Sequence, residues 1–389
     1  MINFRFSCPT EMIFGKDVQL MAGEETKKYG TRVLLHYGSG HIKKSGLYEQ
    51  VTESLKKAGV DYLELGGVQP NPRLSLIREG IRLCRENGID FILAVGGGSV
   101  IDSAKGIALG AVDNGDVWDF YEGRRKAQKA LPVGVVLTIP AAGSESSVGS
   151  VVTDMDNANK RAYDDEIIRP KFALMNPELT YTLPPYQTAC GAADIMAHIM
   201  ERYFTRVPHV DLTDRLCEAA LKTVIGNVSL VLAKPEDYDA RAEIMWTGSI
   251  AHNDILSTGR VGDWSSHMIE HELSGINDVA HGAGLAIIFP AWMRYVYRQD
   301  ISRFAQFAVR VWNIEMDCFD PEKTALAGID ALKSFFKSIG LPVSLAEIGI
   351  TSEHYERIAG NCRRTNGDAV GNFMPLQSSD IINILKIAQ

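Results

Sequence analysis

The feature that most constrains the fold is a regular alternation of short apolar runs and helical patterns, which continues to about residue 180. Apolar runs bounded by glycine or polar turns are typical of strands, and apolar residues spaced three and four apart are typical of amphipathic helices. The predicted strands cover residues 32–37, 61–65, 90–95 and 133–139. The predicted helices between them cover residues 47–58, 74–87 and 100–111. Strands that alternate with helices form βαβ units, so the sequence predicts a Rossmann-like α/β domain with a mostly parallel sheet.

The alternation stops after a proline-containing segment, Asn176 to Pro185, and long helical patterns take over. These patterns predict an all-α second part, with the domains expected at residues 1–182 and 183–389. The predicted helices of this part cover residues 186–206, 211–232, 236–257, 260–274, 301–313 and 322–339.

Composition excludes several classes of protein. Acidic residues outnumber basic residues by 48 to 40, and the formal net charge of −8 disfavours a partner made of nucleic acid. The apolar stretches fall short of the roughly 20 residues that cross a bilayer, so we expect no membrane association. The N-terminus lacks the features of a signal peptide, and six scattered cysteines without a C-x-x-C pair are typical of reduced thiols. We therefore expect a cytoplasmic protein.

Two glycine-rich turns follow predicted strands and could hold phosphate groups. Gly96–Ser99 stands between a strand and a helix, where glycine lets a phosphate approach the backbone and the helix N-terminus attracts an anion. Asp102, in the first helical turn, could cap the helix or bind a ribose hydroxyl. Gly38–Gly40 follows the first strand, and two such turns could hold the two ends of a dinucleotide. Residues 37–41 include no carboxylate and two lysines follow, which favours NADP(H) slightly over NAD(H).

Four residues of the helical part predict a metal site. Asp194 and His198 are four residues apart and therefore share one face of a helix, and His281 precedes two nearby glycines. His267 belongs to a second i, i+4 pair, with His271. One carboxylate and three imidazoles suit Fe²⁺ or Zn²⁺.

The same segment also permits a different interpretation. Residues 267–271 fit the H-x-x-E-H pattern of inverted zinc proteases, in which both histidines bind zinc and Glu270 is the base. That alternative gives the glycine-rich α/β part no role.

Taken together, these motifs resemble the iron-containing (group III) alcohol dehydrogenases, particularly the butanol dehydrogenase and NADPH-dependent aldehyde reductase branch. The resemblance runs in order through most of the chain and rests on the stretches Tyr37–Gly46, Asn71–Pro72, Gly96–Lys105, Pro140–Glu145, Asn176–Pro185, Gly191–His198 and His267–Gly282. It implies a dehydroquinate-synthase-like architecture, in which a dinucleotide-binding α/β domain and a helical domain enclose the site in the cleft between them.

The resemblance also implies roles for individual residues. Asp194, His198, His267 and His281 would bind the metal, and His271 would lie beside the nicotinamide and the substrate. The implied cofactor contacts are Gly38, Ser39, Asn71, Gly97, Gly98, Ser99, Asp102, Thr138, Ser147 and Lys160. The relatives further imply a homodimer.

The expected reaction is metal-assisted hydride transfer between NAD(P) and a primary alcohol or aldehyde such as butanol or butanal. His271 could relay the proton, because an imidazole titrates near neutral pH. A lyase or synthase on the same fold, the zinc protease and a non-enzymatic nucleotide sensor are the alternatives.

Overall fold

The computed structural model describes residues 1–157, 159–362 and 367–389, which divide into two compact units. One unit comprises Ser7–Leu183, and the other comprises Pro184–Gln389 together with Met1–Phe6. The expected fold class is confirmed, because a parallel sheet with helices is followed by a helical region.

Among its described residues, the sheet unit contains eight strands and six α-helices. The strands are β1 (Glu11–Phe14), β2 (Arg32–Tyr37), β3 (Asp61–Leu65), β4 (Phe91–Gly97), β5 (Val133–Ile139), β6 (Gly149–Asp154), β7 (Asn159–Asp164) and β8 (Phe172–Met175). The helices are α1 (Ala22–Lys27), α2 (His41–Lys44), α3 (Leu47–Ala58), α4 (Leu74–Asn87), α5 (Gly98–Ala111) and α6 (Trp118–Tyr121).

Six of these strands form one parallel sheet in the order β1-β8-β5-β4-β2-β3. The chain moves outward from β2 to β3 and then returns to the other side of β2 to form β4. This reversal is a topological switch point, where ligands of open α/β sheets bind beyond the carboxyl ends of the strands. The sheet's central strands are buried along most of their length, as at Val33, Leu93 and Val135. Continuous apolar runs of this kind are required when both faces of a parallel sheet are covered.

Sequence patterns did not predict the remaining strands of this unit. Edge strand β1 and inner strand β8 have only four residues each, which is short for a recognisable pattern. Strands β6 and β7 form a separate antiparallel hairpin whose residues are mostly polar.

The helical unit contains nine α-helices among its described residues. They are α7 (Pro185–Tyr203), α8 (Asp211–Ala233), α9 (Tyr238–His252), α10 (Ser265–Asn277), α11 (His281–Val296), α12 (Ile301–Trp312), α13 (Pro321–Ser338), α14 (Tyr355–Asn361) and α15 (Ser378–Ala388). The six predicted helices correspond to α7–α10, α12 and α13, with ends that differ by a few residues. Helix α8 is long and apolar enough to cross a membrane, although a core helix of a soluble protein meets the same criterion.

Helices α7 and α11 form the centre of this unit. Residues 191–203 of α7 and 282–293 of α11 are all buried, so neither helix has a solvent-facing stripe there. The two helices approach closely at Gly282, where a β-carbon would lie 2.0 Å from the carbonyl oxygen of Cys190. Because α7 nevertheless carries charged and imidazole side chains in this core, each of them needs a polar partner there.

Candidate active site

Asp194, His267 and His281, from three different helices, converge on one point in the helical unit. One ligand atom from each lies within 4.8 Å of those of the other two. Oδ1 of Asp194 is 3.8 Å from Nε2 of His281 and 3.4 Å from Nε2 of His198. The ring of His198 is in turn 4.6 Å from that of His267, measured between centroids. The structure therefore brings together all four residues that the sequence predicted as metal ligands.

The chemistry of these donors fits a divalent metal. Nε2 of His267 is buried and forms no hydrogen bond with any described residue. Leaving such a nitrogen unsatisfied costs about 1–3 kcal/mol, which a bound cation would offset. Burial, together with the neighbouring His252 and His267, keeps the pKa of His198 well below its usual value. A neutral imidazole is the form that binds metals.

Two buried glutamates bind the outer nitrogens of the histidines. The sequence predicted no site role for Glu201, and it predicted one for Glu270 only in the protease alternative. Nδ1 of His267 lies 2.7 Å from Oε1 of Glu201. Nδ1 of His281 hydrogen-bonds Oε2 of Glu270, whose other oxygen accepts a hydrogen bond from Ser274. Asp194, His198 and Glu201 follow an i, i+4, i+7 spacing on α7, so helical periodicity carried a signal for Glu201.

His271, the predicted proton relay, is buried on α10 one turn after His267. Its ring centroid lies 5.6 Å from that of His281. The protease interpretation needs Glu270 as a free base, but its carboxylate binds His281 and Ser274 instead.

In the sheet unit, several predicted cofactor residues follow the carboxyl ends of neighbouring strands. Gly38 and Ser39 follow β2, while Gly97 ends β4 and Gly98 begins α5 without an intervening loop. Thr138 is near the end of β5, which pairs with β4. A β-carbon on Gly97 would lie 2.8 Å from that of Ile139, so a side chain would disturb this junction.

The polar hairpin places two further predicted cofactor residues, Lys160 and Asn71, in one region through Thr153. Thr153 on β6 pairs with Lys160 on β7, and its N–H donates a 2.8 Å hydrogen bond to the carbonyl of Pro72. Asn71 directly precedes that proline and adopts a left-handed φ of 53°, which asparagine tolerates better than most residues.

Ser147 belongs to the turn of residues 144–149, and Asp102 contacts this turn. The buried Lys105 holds the turn in place. The Lys105 ammonium donates to the carbonyl oxygens of Ser144 and Gly149, each at 2.7 Å, and to that of Ser147 at 3.0 Å. Burial lowers the pKa of this lysine to about 8, so it remains protonated at neutral pH. Asp102 accepts hydrogen bonds from the Ser144 hydroxyl at 2.6 Å and from the Val151 N–H at 3.1 Å. The predicted ribose acceptor thus also anchors this turn.

Comparison with known proteins identifies the family. Residues 9–177 match the model of iron-containing alcohol dehydrogenases, and residues 188–389 match the C-terminal model of the same family. The chain belongs to the iron-containing alcohol dehydrogenase family. It is thus an NAD(P)-dependent oxidoreductase that interconverts alcohols and aldehydes, as the resemblance implied.

Individual relatives of this family match over nearly the whole chain. The probable NADH-dependent butanol dehydrogenase 1 of Bacillus subtilis is 44% identical over 386 residues, 99% of each chain. The NADPH-dependent aldehyde reductase YqhD of Escherichia coli is 39% identical over 90% of each chain. The crystal structure of the NADH-dependent butanol dehydrogenase A of Thermotoga maritima has a TM-score of 0.96 and 40% identity, and the match covers 100% of this chain and 99% of that one. These similarities leave the protease alternative without support.

Proposed function

We propose that the protein reduces short-chain aldehydes such as butanal, and oxidises the corresponding primary alcohols, with a divalent metal held by Asp194, His198, His267 and His281. The convergence of three ligand atoms within 4.8 Å, one of them a buried imidazole nitrogen without a hydrogen bond to the described residues, carries this proposal. Fe²⁺ and Zn²⁺ both accept this set of one carboxylate and three imidazoles.

The residues of the helical unit have separable tasks in this proposal. A bound divalent cation supplies Lewis acidity, which polarises the carbonyl of an aldehyde and makes an alcohol more acidic. The Asp194 carboxylate would compensate part of the cation's charge, and the buried rings of His198 and His267 would shield it from bulk water. His271 would move the proton between the product hydroxyl and solvent, a task that imidazoles commonly perform in general acid–base catalysis.

For the sheet unit, we propose that the two glycine turns at the switch point bind the dinucleotide. The N-terminus of α5 supplies free N–H groups for the pyrophosphate, and its N-cap residue, Gly97, has no side chain to occupy them. Gly38 and Ser39 would contact the adenosine ribose, and Asn71, Gly98, Ser99, Asp102, Thr138, Ser147 and Lys160 would complete the binding surface.

The preference between NADP(H) and NAD(H) depends on the charge near the first turn. Lys43 follows that turn on α2 and would attract a 2′-phosphate, which supports NADP(H). However, Nζ of Lys43 pairs with Oε2 of Glu64 at 2.9 Å. The proposed preference for NADP(H) is accordingly small, and the named relatives use either NADH or NADPH.

We further propose that the protein is a cytoplasmic homodimer. The N-terminal segment exposes Ile2, Phe4 and Phe6 at alternate positions, which is a pattern that a partner surface would cover. Light scattering on the purified protein would test this assembly state.

The decisive experiment measures loss of the near-ultraviolet absorbance of NADH or NADPH when the metal-loaded protein receives butanal. Turnover should disappear when a chelator removes the metal, and His267→Ala should lose both metal and activity. His209→Asn is the matched control, because His209 is an exposed histidine of the same unit with a left-handed φ of 58° that asparagine accepts. Turnover by the fully chelated protein would contradict the proposal, and aldehyde conversion without net consumption of the nucleotide would favour a lyase or synthase.

A further inference from the structure

Two glutamates from different helices contact the outer ring nitrogens of two proposed metal ligands. Glu201 on α7 reaches Nδ1 of His267, and Glu270 on α10 reaches Nδ1 of His281. Both glutamates are completely buried. The arrangement thus occurs twice, although His267 and His281 lie in the first turns of different helices and their glutamates come from different elements.

A carboxylate that accepts a hydrogen bond from Nδ1 determines which tautomer of the imidazole is populated. An ionised carboxylate is only an acceptor, so Nδ1 must carry the hydrogen. In a neutral ring Nε2 then keeps its lone pair, which is the electron pair that a metal needs. For His267 this nitrogen is the buried atom without a hydrogen bond to the described residues, and for His281 it is the atom 3.8 Å from Asp194.

The surroundings of each glutamate fix its position. Besides the ring, Glu201 accepts hydrogen bonds from the N–H groups of Trp264 at 2.5 Å and His267 at 3.1 Å. These groups belong to the start of α10, where backbone N–H groups lack partners within the helix. Glu270 is held by Ser274 on its own helix and packs against Gly284, where a β-carbon would lie 2.7 Å from Cγ of the glutamate.

From this geometry we infer that Glu201 and Glu270 are positioning residues, which hold His267 and His281 in the tautomer and orientation that bind the metal. The inference rests on the proposed function, because it presupposes that the two histidines are ligands. It also gives Glu270 a role other than that of a base: its carboxylate acts through His281. Outer partners of this kind typically contribute a factor of about 10–100 to metal affinity.

Zinc affinity of the metal-free protein provides the test, with a chromophoric chelator as competitor. Glu201→Gln and Glu270→Gln should each bind Zn²⁺ about 10–100-fold more weakly than the wild type. Glu218→Gln is the matched control: Glu218 is also buried in this unit, but it binds Tyr203 at 3.0 Å and Arg310 at 3.2 Å instead of a histidine. Its zinc affinity should equal that of the wild type.

A second measurement needs no variant, which matters because Glu201→Gln also removes a cap from α10. Nitrogen-15 NMR of the histidine rings in the metal-free wild type, at about pH 8, should show hydrogen on Nδ1 of both His267 and His281. A ring with bare Nδ1, unchanged zinc affinity in both glutamine variants, or an equal loss in Glu218→Gln would overturn the inference. A wild type that binds no zinc would instead defeat the proposed function itself.

Discussion

Oδ1 of Asp194 lies 3.8 Å from Nε2 of His281, although Asp194 belongs to α7 and His281 belongs to α11. Asp194 is buried, whereas the His281 side chain retains 23% of its exposure. This pair thus joins the core of the helical unit to the partly open side of the proposed metal site.

Replacing either member of this pair should remove the metal. Asp194→Asn deletes the only carboxylate among the four proposed ligands, and His281→Ala deletes the partly exposed imidazole. Each variant should lose more affinity for Zn²⁺ than the roughly 10–100-fold expected of an outer partner, and should lose aldehyde reduction with it. Elemental analysis and the nicotinamide absorbance trace would check both effects. Full metal content in either variant would show that its residue is not a ligand.

Cofactor preference should respond to the pair formed by Lys43 and Glu64. Removing the carboxylate with Glu64→Gln frees the ammonium group for a 2′-phosphate. An exposed charge pair is worth up to about 1 kcal/mol, so kcat/KM for NADPH relative to NADH should rise by up to about fivefold. Steady-state kinetics with both cofactors would measure the ratio. Glu49→Gln changes an exposed residue of α3 and should leave this ratio unchanged. An unaltered ratio in Glu64→Gln would show that the pair of Lys43 and Glu64 does not influence cofactor preference.

His36 should make the sheet unit sensitive to acid. Its Nδ1 lies 2.8 Å from the Leu65 carbonyl and its Nε2 lies 2.8 Å from the Ser103 hydroxyl, while burial lowers its pKa to about 4. The unfolded chain, with an ordinary histidine pKa near 6.5, therefore binds more protons between these pH values. Stability conferred by neutral His36 is present above about pH 6.5 and is lost as the pH falls towards 4, by about 3 kcal/mol in all.

Thermal unfolding of the wild type and of His36→Asn as a function of pH would test this. The variant should be less stable at neutral pH, and its deficit should shrink as the pH falls, because asparagine does not titrate. His41→Asn, at an exposed histidine of the same unit, should follow the wild-type curve. A deficit of His36→Asn that stays constant between about pH 7 and 4.5 would contradict the assignment.

The sequence predicts those elements whose pattern is local, and it does not predict those that depend on contacts between distant residues. Strand β2 and helix α3 are local patterns, and their predicted bounds agree with those in the structure. The β6–β7 hairpin is polar and short, and the hydrogen bond from Thr153 to Pro72 joins residues that are far apart in the sequence, so no local apolar pattern predicts this hairpin.

The site shows the same division between local and long-range information. Asp194 and His198 share a helical face, so their spacing is visible in the sequence. The partnership of Glu201 with His267 depends on how α7 packs against the start of α10, which no periodicity specifies. Glu270 was recognised only as part of H-x-x-E-H, because the sequence did not show that its carboxylate would meet His281.

Gly282 is the contact that lets α7 and α11 approach each other. In Gly282→Ala the new β-carbon would meet the backbone carbonyl oxygen of Cys190 at 2.0 Å, and a backbone atom cannot move aside as a flexible side chain can. The helices must separate, which would displace His281 from Asp194. Overpacking of this kind typically costs about 1–3 kcal/mol. Both thermal stability and zinc affinity should therefore fall, and the two losses should occur together.

Gly226→Ala makes the same substitution in a permissive place of the same unit. Gly226 is exposed in the interior of α8, and its added β-carbon would meet no atom within 4 Å. Alanine favours a helix over glycine by about 1 kcal/mol, so this variant should be more stable than the wild type and should keep its zinc affinity. Opposite signs for the two glycine substitutions would show that helix separation at Gly282, and not the loss of a glycine, weakens the metal site. If Gly282→Ala kept wild-type zinc affinity, the close approach at Cys190 would not be what holds His281 near Asp194.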